Sequence, residues 1–189
     1  MNAAPKSPDK EFAAMRAFVR ESFLAALSQA TVEHALHQHL EYGRGVLRVK
    51  EDLFDLSSFS RVFAVAMGKA ARPMAHGLER LLGSGLTGIL VEPESSSAAE
   101  PMIPGFRHFR GGHPVPTSGS LQAANAVLQS LHYKMQNALA LFLISGGASA
   151  MIEKPLDDEV TLDDLGQTYQ ALLHSGAPIA EMNAVRKHL

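Results

Sequence analysis

The stretch that decides the fold of this 189-residue chain is ALALFLISGGASAM, residues 138–151. Its first half, 138–144, is wholly apolar, and the loop 145–149 that follows contains only small residues. A short apolar run without alternation is typical of a strand covered on both faces, as in a parallel sheet. Open α/β sheets bind ligands outside the carboxyl ends of their strands, where the 145–149 loop would lie. The stretch therefore predicts a buried parallel strand that leads into a candidate ligand-binding loop.

The residue types of the 145–149 loop suit an anionic ligand. Gly146 and Gly147 can adopt positive φ angles and let a ligand approach the backbone closely. Ser145 and Ser149 add hydroxyl groups, and successive N–H groups can form an anion-binding nest. The alternative is a tight strand-to-helix turn that binds nothing, and the loop alone does not separate the two.

Strands and helices alternate along most of the chain. Apolar runs predict strands over 46–49, 61–67, 88–91, 106–110 and 138–144. Periodic apolar stripes and capping residues predict helices over 9–27, 31–40, 72–82, 118–131, 161–175 and 178–189. Surface loops are predicted over 53–60 and 92–104, and a flexible tail over 1–8. The alternation predicts one α/β domain over 9–189, a three-layer, Rossmann-like, mostly parallel sheet with helices on both faces.

Two more loops with unusual residues follow predicted strands. Lys69 is either a point charge that neutralises phosphate or carboxylate, or an exposed lysine at a helix start, where the helix dipole disfavours it. His113, after Gly111 and Gly112, is either an anion donor or acid–base group, or a brace that bonds a backbone carbonyl. Because right-handed crossovers bring loops after parallel strands to one edge, we expect both to join the 145–149 loop in one ligand-binding edge.

Composition argues against several classes of function. With 17 Lys and Arg against 19 Asp and Glu, the chain offers no electrostatic case for nucleic acid or an anionic membrane. The absence of cysteine excludes disulfides, thiolate zinc sites and thiol nucleophiles. No apolar run approaches the ~18 residues that span a bilayer, and no dinucleotide or P-loop fingerprint follows a predicted strand. We therefore expect a cytoplasmic globular protein that acts on small molecules.

The last segment, GAPIAEMNAVRKHL at 176–189, concentrates polar side chains. Arg186 suits bidentate contacts to carboxylate or phosphate, and Glu181 and Asn183 precede it. The alternative is an amphipathic helix with a solvated charged face.

Four segments in order resemble one family. They are GKAARPMA at 68–75, GGHPVP at 111–116, ISGGASAM at 144–151 and SGAPIAEMNAVRKHL at 175–189. Together they resemble the type-2 glycerate kinases, and more narrowly the N-terminal, MOFRL-associated domain of that family. The resemblance implies transfer of a phosphoryl group from ATP, with Mg²⁺, to the 2-hydroxyl of D-glycerate.

The resemblance also implies roles for the residues singled out above. Lys69 would be the catalytic lysine, stabilising the transferring phosphoryl group or positioning glycerate. The other implied substrate- or phosphate-binding residues are Ser145, Gly146, Gly147, Ser149, Gly111, Gly112, His113, Glu181, Asn183 and Arg186. The metal ligands are not implied by these motifs.

The chain departs from the family pattern in sequence and in length. Thr117 stands where an acidic residue is usual, and Ala148 replaces the commoner third glycine. Family members are longer and carry a C-terminal MOFRL domain that completes the cleft, so this chain resembles part of an enzyme. We therefore expect little turnover, and exposed apolar surface at 178–189 that favours self-association or a complementing C-terminal chain. The alternatives are a non-catalytic or partner-completed binding module and, third, a hydroxypyruvate reductase.

Overall fold

The computed structural model describes residues 8–83, 85–97, 101–134 and 137–189. In chain order the helices are α1 Pro8–Gln29, α2 Val32–His39, α3 Ala71–Leu82, α4 Ser118–Lys134, α5 Ala148–Met151, α6 Leu162–His174 and α7 Ile179–Arg186. The strands are β1 Leu40–Gly43, β2 Val46–Val49, β3 Asp52–Asp55, β4 Arg61–Met67, β5 Thr87–Pro93, β6 Phe106–Gly111 and β7 Ala138–Ile144. Except for Pro8, the predicted tail lies outside the described residues.

The centre of the fold is a parallel sheet of four strands in the order β6–β5–β4–β7. Helix α3 covers one face, where Ala71, Ala75 and Leu78 are buried against the sheet. Helices α4 and α5 cover the other face around Val65 and Met151. The predicted α/β class, with a parallel sheet between helices, is confirmed.

A small antiparallel sheet of β1, β2 and β3 precedes the parallel sheet. The second helix therefore ends at His39, one residue before the predicted end, because Leu40 already pairs with Val49. The predicted loop 53–60 is wrong over its first half, where β3 is followed by a short 3₁₀ helix at Leu56–Ser58. Alternation in β3 is weak in the sequence, and pairing with β2 supplies the strand.

The predicted burial of β7 on both faces is wrong. Among the described strands β7 pairs only with β4 and forms an edge of the sheet. Phe142 is 47% exposed and Ile144 65% exposed, on the face that carries α4 and α5. Leu141 and Leu143 on the opposite face pack partly against the α3 side of the core.

The predicted surface loop 92–104 contributes to the interior at both ends of its described part. Glu92 belongs to β5 and is 3% exposed, and Ile103 is 1% exposed in the core beside α3. No helix in the described ranges is long and apolar enough to cross a membrane.

Candidate functional site

The order of the strands creates a crevice at one end of the parallel sheet. From β4 the chain adds β5 and then β6 on one side, and later adds β7 on the other side. The carboxyl ends of β4 and β7 therefore flank a topological switch point, where open α/β sheets bind ligands. Lys69 follows β4 and the 145–149 loop follows β7, so both lie at this crevice.

Ser145 joins the two loops by hydrogen bonds. Its Oγ accepts a bond from the Ala70 backbone N–H at 2.9 Å and donates to the Met67 carbonyl at 3.3 Å. The Lys69 N–H donates to the Gly146 carbonyl at 3.0 Å. Ser145 is therefore a brace between the loops, and its hydroxyl is already engaged by this chain.

The close approach of the two loops requires glycine at position 68. Gly68 has a φ of +108°, and a Cβ there would lie 2.4 Å from Ser145 Oγ and 2.5 Å from the Ser145 carbonyl oxygen. The sequence GK after β4 therefore serves the geometry that presents Lys69 at the crevice.

The side chain of Lys69 is exposed at the crevice. Within the described part of the chain its ammonium has no ion-pair or hydrogen-bond partner. The ammonium is thus available to a bound anion, which fits the predicted role of Lys69 as a point charge that neutralises phosphate or carboxylate.

His113 lies against the same loop from the side of β6. A Cβ at Gly147, whose φ is +90°, would lie 2.8 Å from His113 Cδ2. The exposed ring makes no hydrogen bond to other described residues, so the alternative of a carbonyl-bonded brace is not seen. The structure thus brings together the three loops that the sequence placed on one edge.

Gly111 and Gly112 are buried and serve packing. A Cβ at Gly111 would lie 2.2 Å from the Met151 carbonyl oxygen, so this glycine lets β6 approach α5. The Gly112 N–H donates to Ser120 Oγ at 3.1 Å and is therefore occupied. The Thr117 hydroxyl donates to Glu94 Oε1 at 2.7 Å, and Ser120 Oγ also accepts from the Thr117 N–H at the start of α4.

A cleft of about 420 Å³ adjoins the 145–149 loop. Its polar lining comes from α5, the segment after it and α7: Ser149, Glu153, Lys154, Asn183, Arg186 and Lys187. Three of the predicted residues, Ser149, Asn183 and Arg186, therefore share one cleft. Glu181 is exposed in the first turn of α7 and does not line it.

Arg186 is held in this cleft by a buried tyrosine. Its guanidinium carbon lies 4.3 Å from the centroid of the Tyr169 ring, and Nη1 donates to Asn183 Oδ1 at 3.2 Å. The Tyr169 hydroxyl donates a short hydrogen bond to Glu153 Oε2. Burial, and then the bond to the Glu153 carboxylate, raise the pKa of Tyr169 well above its ordinary value, so the phenol remains a donor.

A second polar cluster lies at the start of α3, the helix that follows Lys69. Arg72 Nη2 pairs with Glu92 Oε2 at 2.6 Å, with only 14% and 4% of the two side chains exposed. His108 on β6 accepts a bond from the Ile103 N–H at Nε2, and burial and the Arg72 charge lower the pKa of His108. The Arg72–Glu92 pair joins the start of α3 to β5.

Phosphate fits the described residues better than a metal does. Arg186 Nε is buried without a hydrogen-bond partner, and Lys187 adds positive charge to the same cleft, where Lys154 pairs with Asp158 at 2.9 Å. Across the described ranges no group of three or more His, Asp or Glu side chains is placed to hold a metal ion. The described residues of this cleft therefore suit an anionic group of a substrate or nucleotide.

The sequence interpretation missed Tyr169, Glu153, Lys154 and Lys187. Tyr169 falls on the apolar stripe of α6 beside Leu165, and that spacing predicts a core residue. Its position, 3% exposed, agrees with the pattern, but its stacking on Arg186 depends on how α6 and α7 meet. A buried tyrosine needs a partner for its hydroxyl, which is the one signal that the sequence offers.

Comparison with known proteins places these features in a family. Residues 18–189 match the family model described as "Domain of unknown function (DUF4147)". A D-glycerate 2-kinase of Thermotoga maritima is 40% identical over 142 residues, which cover 75% of this chain and 33% of that protein. An Agrobacterium vitis protein provisionally named hydroxypyruvate reductase is 35% identical over 130 residues, 68% of this chain and 29% of that protein.

The likeness extends to three dimensions. A crystal structure of glycerate kinase from Thermotoga maritima matches with a TM-score of 0.72 and 31% identity, over 93% of this chain and 39% of that one. The chain thus spans about a third of the length of the relatives that it matches. With its matched residues, its fold and its relatives in agreement, the chain belongs to the DUF4147 family, the N-terminal domain of glycerate kinases.

Proposed function

We propose that this chain forms part of a glycerate 2-kinase, which transfers the γ-phosphoryl group of ATP to the 2-hydroxyl of D-glycerate. The observation that carries the proposal is the crevice at the β4–β7 switch point, where Lys69 and the 145–149 loop are joined through Ser145. Phosphoryl transfer depends chiefly on positioning and on electrostatic stabilisation, which this arrangement supplies. The kinase names of its relatives support the same reaction.

In this proposal the two halves of the site have different tasks. Lys69 neutralises charge on the transferring phosphoryl group or orients glycerate, since its ammonium is exposed and unpaired among the described residues. The cleft at Arg186 holds a second anionic group, a carboxylate or a phosphate, by charge-assisted hydrogen bonds. Bound Mg²⁺ would supply further neutralisation of the phosphates.

Binding measurements on the 189-residue chain test the proposal. We expect calorimetric titration to detect ATP or D-glycerate, and Lys69→Met to weaken that binding about tenfold or more through loss of a charged contact. Lys50→Met is the matched control, because Lys50 lies in the turn between β2 and β3, away from the crevice. Equal affinities for Lys69→Met and the unmodified chain would contradict the role of Lys69.

A coupled assay for ADP formation tests turnover. We expect little or none from this chain alone, because the Lys69 side of the crevice is open in the described residues. ATP- and glycerate-dependent turnover at the rate of a full-length kinase would contradict that expectation.

The second candidate function is a binding module completed by another chain or segment. The exposed edge and face of β7 favour it, because Phe142 and Ile144 present apolar surface beside the crevice. The coding sequence after residue 189 distinguishes the two candidates. A second half encoded there would favour the enzyme, and its absence would favour the binding module. A third, an NAD(P)-linked hydroxypyruvate reductase, would be supported over the kinase by fluorescence titration showing nicotinamide binding.

A further inference from the structure

The guanidinium of Arg186 is supported from one side by an aromatic ring that is itself fixed. Tyr169 is 3% exposed, and its ring lies under the guanidinium with 4.3 Å between the ring centroid and the guanidinium carbon. The Tyr169 hydroxyl donates to the Glu153 carboxylate and also lies 3.5 Å from the Ser149 carbonyl oxygen. The ring is therefore held at its far end by the segment that forms the opposite wall of the cleft.

The stack leaves hydrogen-bonding capacity on Arg186. Nη1 donates to Asn183 Oδ1 at 3.2 Å, and Nε is buried without a partner. A guanidinium offers its donors in one plane, so a ring beneath that plane fixes the direction in which they point. The donors that remain are directed within a cleft that also contains Lys154 and Lys187.

We propose that Tyr169 is a positioning residue, which orients Arg186 toward an anionic group, and that Glu153 in turn fixes Tyr169. The inference rests on the proposed function for the role of Arg186 in binding a phosphate or carboxylate. Tyr169 and Glu153 do not contact that anion themselves. They act by holding three elements, α5, α6 and α7, in the arrangement that the cleft requires.

Nuclear magnetic resonance detects the stacking of Arg186 on Tyr169 directly. Protons above an aromatic ring resonate upfield, so we expect the Arg186 Nε–H signal of the 189-residue chain to lie upfield of the other arginines. Tyr169→Leu should move that signal downfield, and Tyr169→Phe should keep most of the upfield shift. Tyr42→Phe is the matched control, because Tyr42 is 40% exposed on β1 and does not line the cleft.

A double-mutant cycle separates positioning from general stability, with inorganic phosphate as the probe. Tyr169→Leu should weaken phosphate binding about fivefold, the effect expected for loss of one partly buried cation–π contact. In an Arg186→Met background the same substitution should change phosphate affinity less than twofold. A purely structural role would weaken binding equally in both backgrounds and would overturn the proposal.

Two variants keep the test decisive if Tyr169→Leu does not fold, as judged by circular dichroism. Glu153→Gln and Tyr169→Phe preserve the packing volume, and each should move the Arg186 Nε–H signal slightly downfield while keeping most of its upfield shift, whereas Glu159→Gln should leave the signal unchanged. An unchanged Arg186 signal in both would overturn the positioning role. Absence of phosphate binding with the upfield signal intact would instead count against the proposed function and leave the positioning confirmed.

Discussion

At the scale of single residues, the crevice depends on two glycines that differ in what they allow. Gly68 has a positive φ and no room for a Cβ, because the backbone of Ser145 lies within 2.9 Å of where it would be. Gly146, in the partner loop, has no positive φ, and a Cβ added there would meet nothing within 4 Å. The same residue type thus serves close approach at one position and leaves open space at the other.

We predict that Gly68→Ala lowers the free energy of unfolding by about 2 kcal/mol or more, through left-handed backbone strain and the contact with Ser145. Gly146→Ala is the control and should change stability by less than about 0.5 kcal/mol. Urea unfolding followed by circular dichroism measures both. Equal stability of the two variants would show that the loops can separate without cost.

The buried ion pair between Arg72 and Glu92 gives a second residue-level prediction. Glu92→Ala should lower the free energy of unfolding by about 3 kcal/mol, because it removes the carboxylate of an ion pair that is mostly shielded from water. Glu41→Ala removes an exposed pair, in which Glu41 and Arg48 are 72% and 49% exposed, and should cost less than about 1 kcal/mol. A similar cost for the two substitutions would contradict the difference in burial.

At the scale of elements, α6 carries its start signal in the sequence. Thr161 Oγ1 accepts from the Asp164 N–H at 3.2 Å, and Asp164 Oδ2 accepts from the Thr161 N–H at 2.9 Å, which forms a capping box. The hydrogen bonds from the Thr161 side chain and backbone lower the pKa of the Asp164 carboxyl below 3.8. The stabilisation that the ionised Asp164 gives to the folded chain is therefore present at neutral pH. It is lost as the pH falls below about 3.8 toward the pKa of Asp164 in the folded chain.

Thr161→Ala should destabilise the chain by about 1 kcal/mol at neutral pH, because α6 loses its N-cap. The difference from the unmodified chain should narrow as the pH falls below 3.8, since a protonated Asp164 no longer accepts as a carboxylate. Thr168→Ala in the same helix is the control and should be neutral or slightly stabilising, given the higher helix propensity of alanine. Chemical unfolding at several pH values measures all three proteins.

Helix α1 presents its apolar side chains to solvent. Phe12, Phe18 and Phe23 are 62%, 70% and 63% exposed, and Met15, Val19, Leu24 and Leu27 are each at least half exposed. By comparison, α7, where we expected the apolar surface, exposes Ile179 and Val185. The larger apolar surface of this chain is therefore at its beginning.

We predict that deletion of residues 1–29 changes the melting temperature by only about 2 °C or less, because these side chains bury little surface in the chain itself. The same deletion should reduce self-association, which light scattering of both proteins measures. An unshortened chain that remains a monodisperse monomer would contradict the expected self-association. A large fall in melting temperature would show that α1 stabilises the body of the fold.

At the scale of the whole molecule, local sequence predicted what depends on neighbours along the chain. The apolar run of β4, the stripe of α3 and the single glycine between them, Gly68, predicted one strand–helix–strand unit and the place of Lys69. The burial of Glu92 and the edge position of β7 depend on pairing with distant segments, which no local pattern contains. The convergence of three loops was predictable because parallel sheets place such loops together, whereas the stack of Tyr169 on Arg186 required the meeting of two helices.

The strand order also has a consequence for how the chain is made. β5 and β6 join the sheet soon after β4, but β7 pairs with β4 across 77 residues of sequence. During synthesis on the ribosome, one edge of β4 therefore stays unpaired until β7 emerges. Contacts between such distant segments form late. Ser145 follows β7 directly, so the hydrogen bond that joins it to Ala70 forms only once β7 has been translated. The two loops of the crevice are therefore joined only after β4, β5 and β6 have been translated.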